Sequence, residues 1–254
     1  CCPAWVNFVA KRYPKYLRNL STAKSPQQMF GAMVKTYFAE KIGVTPDKIC
    51  CISIMPCIAK KGEAALPSMD VTGTGQDVDI VLTTREMVRL LKAEHILPEL
   101  LLEEKFDSPL GEGTGAAVIF GTTGGVMEAA LRTAAAVLEG ANSNPEKFND
   151  VRGNEGRREV TYHVNGIPIR TCTVSGLKNA RMMMDDIING KVTYDFVEVM
   201  ACPGGCVGGG GQPIKDGVEM ASERAPKLYE LDKRRNVRFS HENPEIKKLY
   251  ADFL

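Results

Sequence analysis

Apolar residues recur at helical spacing near the start of the chain and gather into strand-like runs farther along. Trp5, Phe8 and Val9 share one face of a segment from Pro3 to Tyr13, so a short helix is expected there, with Pro3 in the first turn, where a missing N–H is tolerated. Met29, Phe30, Met33, Val34, Tyr37 and Phe38 repeat with the same period between Ser25-Pro26 and Gly43, predicting a longer helix with that stripe in the core. The period then changes. Lys48 to Met55 is β-branched and largely apolar, of strand type, and stops at Pro56-Cys57. Asp77 to Leu82 is a second such run, after which Thr83 or Thr84 can cap a helix carrying Met87, Val88, Leu90 and Leu91.

Ala116 to Phe120 is a small apolar run, and Gly121 to Gly125 forms a glycine and threonine turn before a helix from Val126 to about Glu139. That turn lacks the lysine of a phosphate-binding P-loop and the spacing of a dinucleotide fingerprint. Val160 to Val164 and Ile167 to Val174 flank Asn165-Gly166, a tight-hairpin dipeptide. A helix from Gly176 to Asn189, a strand from Tyr194 to Met200 and a charged helical tail from Val218 to Leu254 complete the order, the last helix opening at Asn243-Pro244. Strands alternating with helices argue for an α/β protein. The polar stretch from Asn144 to Gly156 is expected to separate a first part, residues 1–143, from a second, residues 144–254, as two lobes of mixed sheet flanked by helices.

With 254 residues, 44% of them hydrophobic, the chain can bury a substantial core. Lys plus Arg number 32 against 31 Asp plus Glu, so no net field favours nucleic acid or an anionic membrane, and aromatics are too sparse for a base-stacking platform. No apolar run reaches bilayer length and no signal peptide opens the sequence. The chain starts at Cys1 without an initiator Met, so a processed or trimmed chain, or a piece of a longer protein, is expected.

The eight cysteines change the picture most. They are too few for a disulfide scaffold of this size, and the adjacent pairs Cys1-Cys2 and Cys50-Cys51 suit intramolecular bridging poorly. Reduced thiols are expected. Cys202 and Cys206 stand among six glycines within residues 204–211, a backbone able to wrap closely around something held by sulfur. A zinc loop, a disulfide hairpin and a linker are the other readings of this loop. Zinc sites favour other spacings with further short-spaced ligands, while His95, His163 and His241 stand isolated; a C-x3-C disulfide closes a strained ring, and a linker does not explain two cysteines. Cys57 and Cys202 each follow an expected strand end and Cys1-Cys2 precede a helix, positions that in α/β lobes commonly face one crevice. Four thiolates from three distant loops suit a 4Fe-4S cluster.

Cys1-Cys2-Pro3-Ala4-Trp5, Met55-Pro56-Cys57-Ile58-Ala59-Lys60-Lys61-Gly62-Glu63 and Glu198 to Pro213 (EVMACPGGCVGGGGQP) resemble, in order, the three signature motifs of FeFe-hydrogenases. Residues 21–28 (STAKSPQQ), 120–130 (FGTTGGVMEAA) and 240–243 (SHEN) extend the resemblance over nearly the whole chain. It implies reversible reduction of protons to dihydrogen at an H-cluster, a 4Fe-4S cluster joined through one cysteine sulfur to a two-iron unit with CO, cyanide and a bridging dithiolate. By motif, Cys2, Cys57, Cys202 and Cys206 resemble the cluster ligands, with Cys206 the shared one, and the cluster is expected in the cleft between the lobes. Cys1 resembles the proton-shuttling thiol and Ser21 the next hydroxyl of the proton path; a spare cysteine and a simple turn or cap residue are their plainer alternatives. Lys60 is placed to hydrogen-bond a cyanide and offset cluster charge, and Glu63 to partner a lysine. Met55, Pro56 and Met200 flank the ligand loops, and Ser25, Gln27, Phe120 and Gly121 resemble pocket-lining positions.

The resemblance also implies partners: ferredoxin or accessory iron-sulfur modules for electrons, with NAD linkage through partner modules, and maturation proteins for the cofactor. The family's segment before the Cys-Cys motif, with proton-path carboxylates and part of the cover over the two-iron unit, is missing here and is expected in the same or another chain. Cytoplasmic location is expected, or periplasmic if a partner directs export. The rival functions are an iron-sulfur protein of cluster assembly that lacks the two-iron unit and a sensory hydrogenase; Cys1, Lys60, Met55 and Met200 favour the enzyme.

Overall fold

A computed structural model describes residues 1–107, 109–153 and 156–254, and the chain divides into two compact units. The first comprises residues 1–110, 210–213 and Phe253; the second comprises 111–209, 214–252 and Leu254.

The first unit opens with α1 (Pro3–Arg12), whose last-turn Lys11 and Arg12 complement the negative end of the helix dipole. The segment from Ser25 to Gly43 is helical as its period predicts, in three parts: α2 (Pro26–Met33), a π turn over Val34–Phe38, and α3 (Ala39–Ile42), closed by Gly43 at φ 67°. The expected core stripe holds at Val34, which is buried, but not in the first turns of α2. Met29 and Phe30 are exposed by 45% and 48%, while Gln27, Gln28, Gly31 and Ala32 are buried. Gly31 explains the rotation, since a Cβ there would lie 2.6 Å from both the Asp77 carbonyl and the Val78 side chain. Close approach by the small-residue face satisfies backbone packing that the large residues would block.

The strands β1 (Ile52–Met55) and β2 (Ile80–Thr83) pair in parallel, Ile52 against Ile80 through Met55 against Thr83. The first is shorter than its apolar run, whose first residue, Lys48, closes a 3-10 turn over Pro46–Lys48. The connection carries α4 (Ala59–Ala64), and Ala64 packs with Val78 and Val81. At α5 (Thr84–Ala93) the expected cap is a reciprocal one: Thr83 accepts from the Glu86 N–H and Glu86 accepts from that of Thr83.

The second unit holds α6 (Gly115–Val118), α7 (Gly125–Glu139), a three-stranded sheet of β3 (Arg157–Val164), β4 (Ile167–Ser175) and β5 (Phe196–Met200), the connecting helix α8 (Leu177–Ile188), and then α9 (Ala221–Arg234) and α10 (Pro244–Asp252). The sheet is mixed, with β3 antiparallel and β5 parallel to the central β4. Asn165 at φ 49° and Gly166 at φ 76° make the expected hairpin turn. The polar stretch after Asn144 belongs to this unit and has a packing role: Asn144 caps a 3-10 segment that carries Phe148 and Val151 into a core with Met127, Leu131, Tyr162 and Val164. Among the described residues, no helix is long and apolar enough to cross a membrane.

Candidate metal centre

In the first unit Cys2 stands at the N-cap of α1, where Pro3 occupies the first turn, and Cys57 follows β1 and Pro56 just before α4. Both thiols are partly accessible. Strand-to-helix and coil-to-helix turns leave side chains on short, fixed backbone, which suits ligands better than a long loop. The Pro56 carbonyl accepts from the Gly211 N–H at 2.8 Å, and the Arg85 N–H donates to the Gly211 carbonyl at 3.0 Å. A Cβ at Gly211 would lie 2.9 Å from Thr83 Cβ and 3.0 Å from the Pro56 carbonyl carbon, so the glycine end of the third motif is pinned against the Cys57 turn by its lack of a side chain.

Lys60 is buried, and its ammonium donates to the Cys1 carbonyl at 2.9 Å and to both carboxylate oxygens of Glu63 at 2.9 and 3.1 Å. Glu63 also accepts from the Ser25 hydroxyl at 2.8 Å, while Gln27 donates to the Lys60 carbonyl and accepts from Ser53. Thus the structure brings Cys1, Lys60, Ser25 and Gln27 into one hydrogen-bonded group. Ser21 lies outside it: it is exposed, and its hydroxyl accepts from the Ala23 N–H at 3.2 Å in a local turn. Met55 is partly buried beside Ala64, Val78 and Val81.

In the second unit Cys202 and Cys206 lie in the turn after β5, and Met200 is buried at the strand's end. The turn is held by its backbone. Gly205 N–H donates to the Cys202 carbonyl at 3.1 Å, Gly209 N–H to that of Cys206 at 2.8 Å, and Gly204 N–H to the Ser175 hydroxyl at 2.9 Å. Gly205, at φ 94°, admits no Cβ, which would meet Thr123 N at 2.7 Å and the Gly121 carbonyl at 2.9 Å. The Gly121-Thr122-Thr123 turn therefore packs directly on the cysteine loop, with partly buried Phe120 beside it. Thr123 is buried and its hydroxyl has no protein partner in the structure.

Two carboxylates escaped the sequence reading as central groups. Glu63 was visible only as a lysine partner at i,i+3 spacing, not as a hub. Glu198 was legible only as a polar residue in an apolar strand. Its carboxylate accepts from the Gly124 and Met127 N–H groups, each at 2.7 Å, at the start of α7. Burial pushes its pKa up to about 7 despite those donors. The unfolded carboxyl ionises from 4.5, so this group's contribution to folding is complete below that pH and is lost as pH rises through about 7. Glu198→Gln is accordingly expected to flatten the fall in stability over that interval, worth about 3 kcal/mol from this group. Denaturant midpoints measured at a series of pH values test it; parallel curves for the two proteins reject it.

Within either unit, no three described His, Cys, Asp or Glu side chains form a metal-holding group, and each unit supplies two of the four motif cysteines. The donor set nevertheless fits an iron-sulfur group, with each cysteine pair or single thiol on a turn and side-chain bulk excluded at Gly205 and Gly211.

The family model of the iron only hydrogenase large subunit, C-terminal domain, matches residues 1–210, and that of the iron hydrogenase small subunit matches 218–254. The NADP-reducing hydrogenase subunit HndD of Solidesulfovibrio fructosivorans is 48% identical over all of this chain and 43% of its own length. The periplasmic [Fe] hydrogenase large subunit of Nitratidesulfovibrio vulgaris is 45% identical over 92% of this chain and 56% of its own length. A more distant relative, the cytosolic iron-sulfur assembly component 3 of Mus musculus, is 34% identical over the whole chain and 54% of that protein. The chain thus spans about half the length of these curated relatives. A solved apo [FeFe]-hydrogenase HydA1 variant from Chlamydomonas reinhardtii, 38% identical, superimposes with a TM-score of 0.85 over all of this chain and 70% of its own. The large-subunit match takes in the cysteines of all three motifs, and the chain belongs to the iron-only hydrogenase family.

Proposed function

We propose that this chain carries the H-cluster domain of an FeFe-hydrogenase and serves the reversible reduction of two protons by two electrons to dihydrogen. The observation that carries this reading is the setting of Lys60, a buried ammonium bound to the carbonyl of Cys1. A protein holding only a four-cysteine cluster has no evident need of a desolvated cation beside a fifth cysteine.

Cys2, Cys57, Cys202 and Cys206 would hold the 4Fe-4S cluster, with Cys206 shared with the two-iron unit. When bound, the H-cluster supplies the electrons and the open iron at which protons and dihydrogen interconvert. Cys1, unligated, moves the proton at its sulfur, which a metal-bound thiolate cannot do as a free relay. Ser21 passes it onward. Lys60 would offset the bound group's negative charge, beside a cyanide; Ser25 and Gln27 hold the lysine's surroundings, and Met55, Pro56, Phe120, Gly121 and Met200 would shield the bound group from water. Electrons arrive from ferredoxin or accessory iron-sulfur modules, directly or with NAD linkage, and maturation proteins load the cofactor. The proposed location is the cytoplasm, with the periplasm the alternative suggested by one relative's name.

The second reading is an iron-sulfur protein of cluster assembly, supported by the 34% identical assembly component. An infrared spectrum of maturase-loaded protein separates the two, because CO and cyanide bands are expected for the hydrogenase and a blank region sinks it. In the loaded protein Cys1→Ala is expected to abolish most hydrogen turnover at unchanged iron content, and unaltered turnover rejects the relay.

A further inference from the structure

Glu198 is buried in β5 without a cation to offset it, since among the described residues none forms an ion pair with its carboxylate. Two backbone donors at the start of α7, Gly124 and Met127, hold it at 2.7 Å each, where the helix dipole also favours an anion. Burial opposes them and pushes the acid up to about 7, with Glu128 of α7 adding to the rise. The other groups on the elements around it supply no counter-charge. Arg132 and Arg152 are taken up by Glu128, and Thr173, opposite Glu198 on β4, donates to the Val151 carbonyl. Burial pushes the Tyr229 phenol of α9 up, so it stays neutral.

The carboxylate also lies close to the cysteine loop, within one unit. Gly124 follows Thr123, whose backbone N lies 2.7 Å from the place of a Gly205 Cβ, and Gly205 precedes Cys206. Bond lengths along that route place the carboxylate about 12 Å from the Cys206 sulfur, and at most about 17 Å. At that range, in a medium of effective dielectric about 20, one added negative charge raises the proton affinity of a carboxylate about five- to tenfold.

We propose that Glu198 is a redox-linked proton acceptor for the iron-sulfur group at Cys202 and Cys206. When a low-potential one-electron donor delivers an electron to that group, a Glu198 carboxylate oxygen gains one proton from solvent and releases it when the electron leaves, so the net charge beside the loop is unchanged. Proton affinity and reduction potential are coupled reciprocally. An acid whose affinity rises five- to tenfold on reduction lowers the midpoint potential by about 40–60 mV as it ionises, at 59 mV per tenfold for one electron. This linkage rests on the four-cysteine ligand set of the proposed function and needs neither the two-iron unit nor hydrogen turnover.

The test uses the full chain reconstituted with iron and sulfide in the absence of maturation proteins, reduced stepwise with dithionite and followed by its visible absorption and electron paramagnetic resonance. From about pH 6 to about pH 9 the parent's midpoint is expected to fall by about 40–60 mV in all, and Glu198→Gln, which keeps shape but does not titrate, to remove that fall. Glu198→Asp, which restores a titrating acid, is expected to bring it back. The parent's reduced-minus-oxidised infrared difference spectrum supplies a readout that needs no variant: a protonated carboxyl band that grows on reduction and shifts in heavy water. A parental midpoint that does not move with pH, a missing carboxyl band, or a fall of parental size in Glu198→Gln overturns the proposal. A chain that takes up no iron rejects the ligand set and this linkage with it. A blank CO and cyanide region in maturase-loaded protein would remove the hydrogenase reading and leave this result standing.

Discussion

Replacing Arg132 by methionine is expected to destabilise the second unit by about 3–5 kcal/mol, lowering its melting midpoint by about 10 °C. Arg132, Glu128 and Asp232 have fully buried side chains. The guanidinium donates to Glu128 at 2.6 Å, to both Asp232 oxygens at 3.0 and 2.8 Å, and to the carbonyls of Pro145 and Arg238. Its loss leaves Glu128 to Arg152, and Asp232 to Arg238, and takes one donor from each of two carbonyls, that of Arg238 keeping the Ala116 N–H. The cost comes from stranding buried charge rather than from the attraction lost, since an intact buried pair is itself near balance against its desolvation. The charged pairs join α7 to α9 and to the segments on either side, so the effect should spread through the whole unit. Thermal unfolding followed by circular dichroism decides; a midpoint within about 2 °C of the parent contradicts it.

Cys206→Ala is expected to abolish hydrogen turnover and to lower the iron bound after reconstitution, whereas Cys172→Ala should leave both near the parent's values. The contrast controls for thiol loss as such. Cys172 is buried in β4, and burial pushes its thiol up to about 11, so it stays protonated and inert at neutral pH. Cys206 sits instead in a turn whose glycine backbone closes around it, with Gly205 shaped by contact against Thr123. Iron assay with the visible absorption of the reconstituted proteins, beside a hydrogen electrode, measures the outcome. Full iron and turnover in Cys206→Ala would reject the proposed ligand set.

Local features were legible wherever near neighbours set the conformation. Asn165-Gly166 makes its hairpin because both positions take positive φ, and Thr83 begins α5 because its own hydroxyl and Glu86, three residues on, satisfy N–H groups at the helix start. The α2 stripe shows the limit of periodicity. Its period gave the helix correctly and Val34 as buried, but not the buried face of the first turns, because which side packs there depends on a close approach at Gly31 from residues 46 and 47 positions later. Likewise Ser25 meets Glu63 across 38 residues and Gly124 meets Glu198 across 74, pairings without a local signature.

Cysteine spacing, the glycine-rich segment and the alternation of strands with helices were determined by sequence alone, and the resemblance of three motifs to those of FeFe-hydrogenases supplied the family and the four candidate ligands. Tertiary structure decided what surrounds them: that Lys60 is buried and bound to Cys1, that Glu63 is shared by two helices, and that a threonine turn packs on Gly205. The physical reason is range. Backbone preference and ligand chemistry act within a few residues, whereas burial and the partner of a charged group are fixed only when distant segments pack.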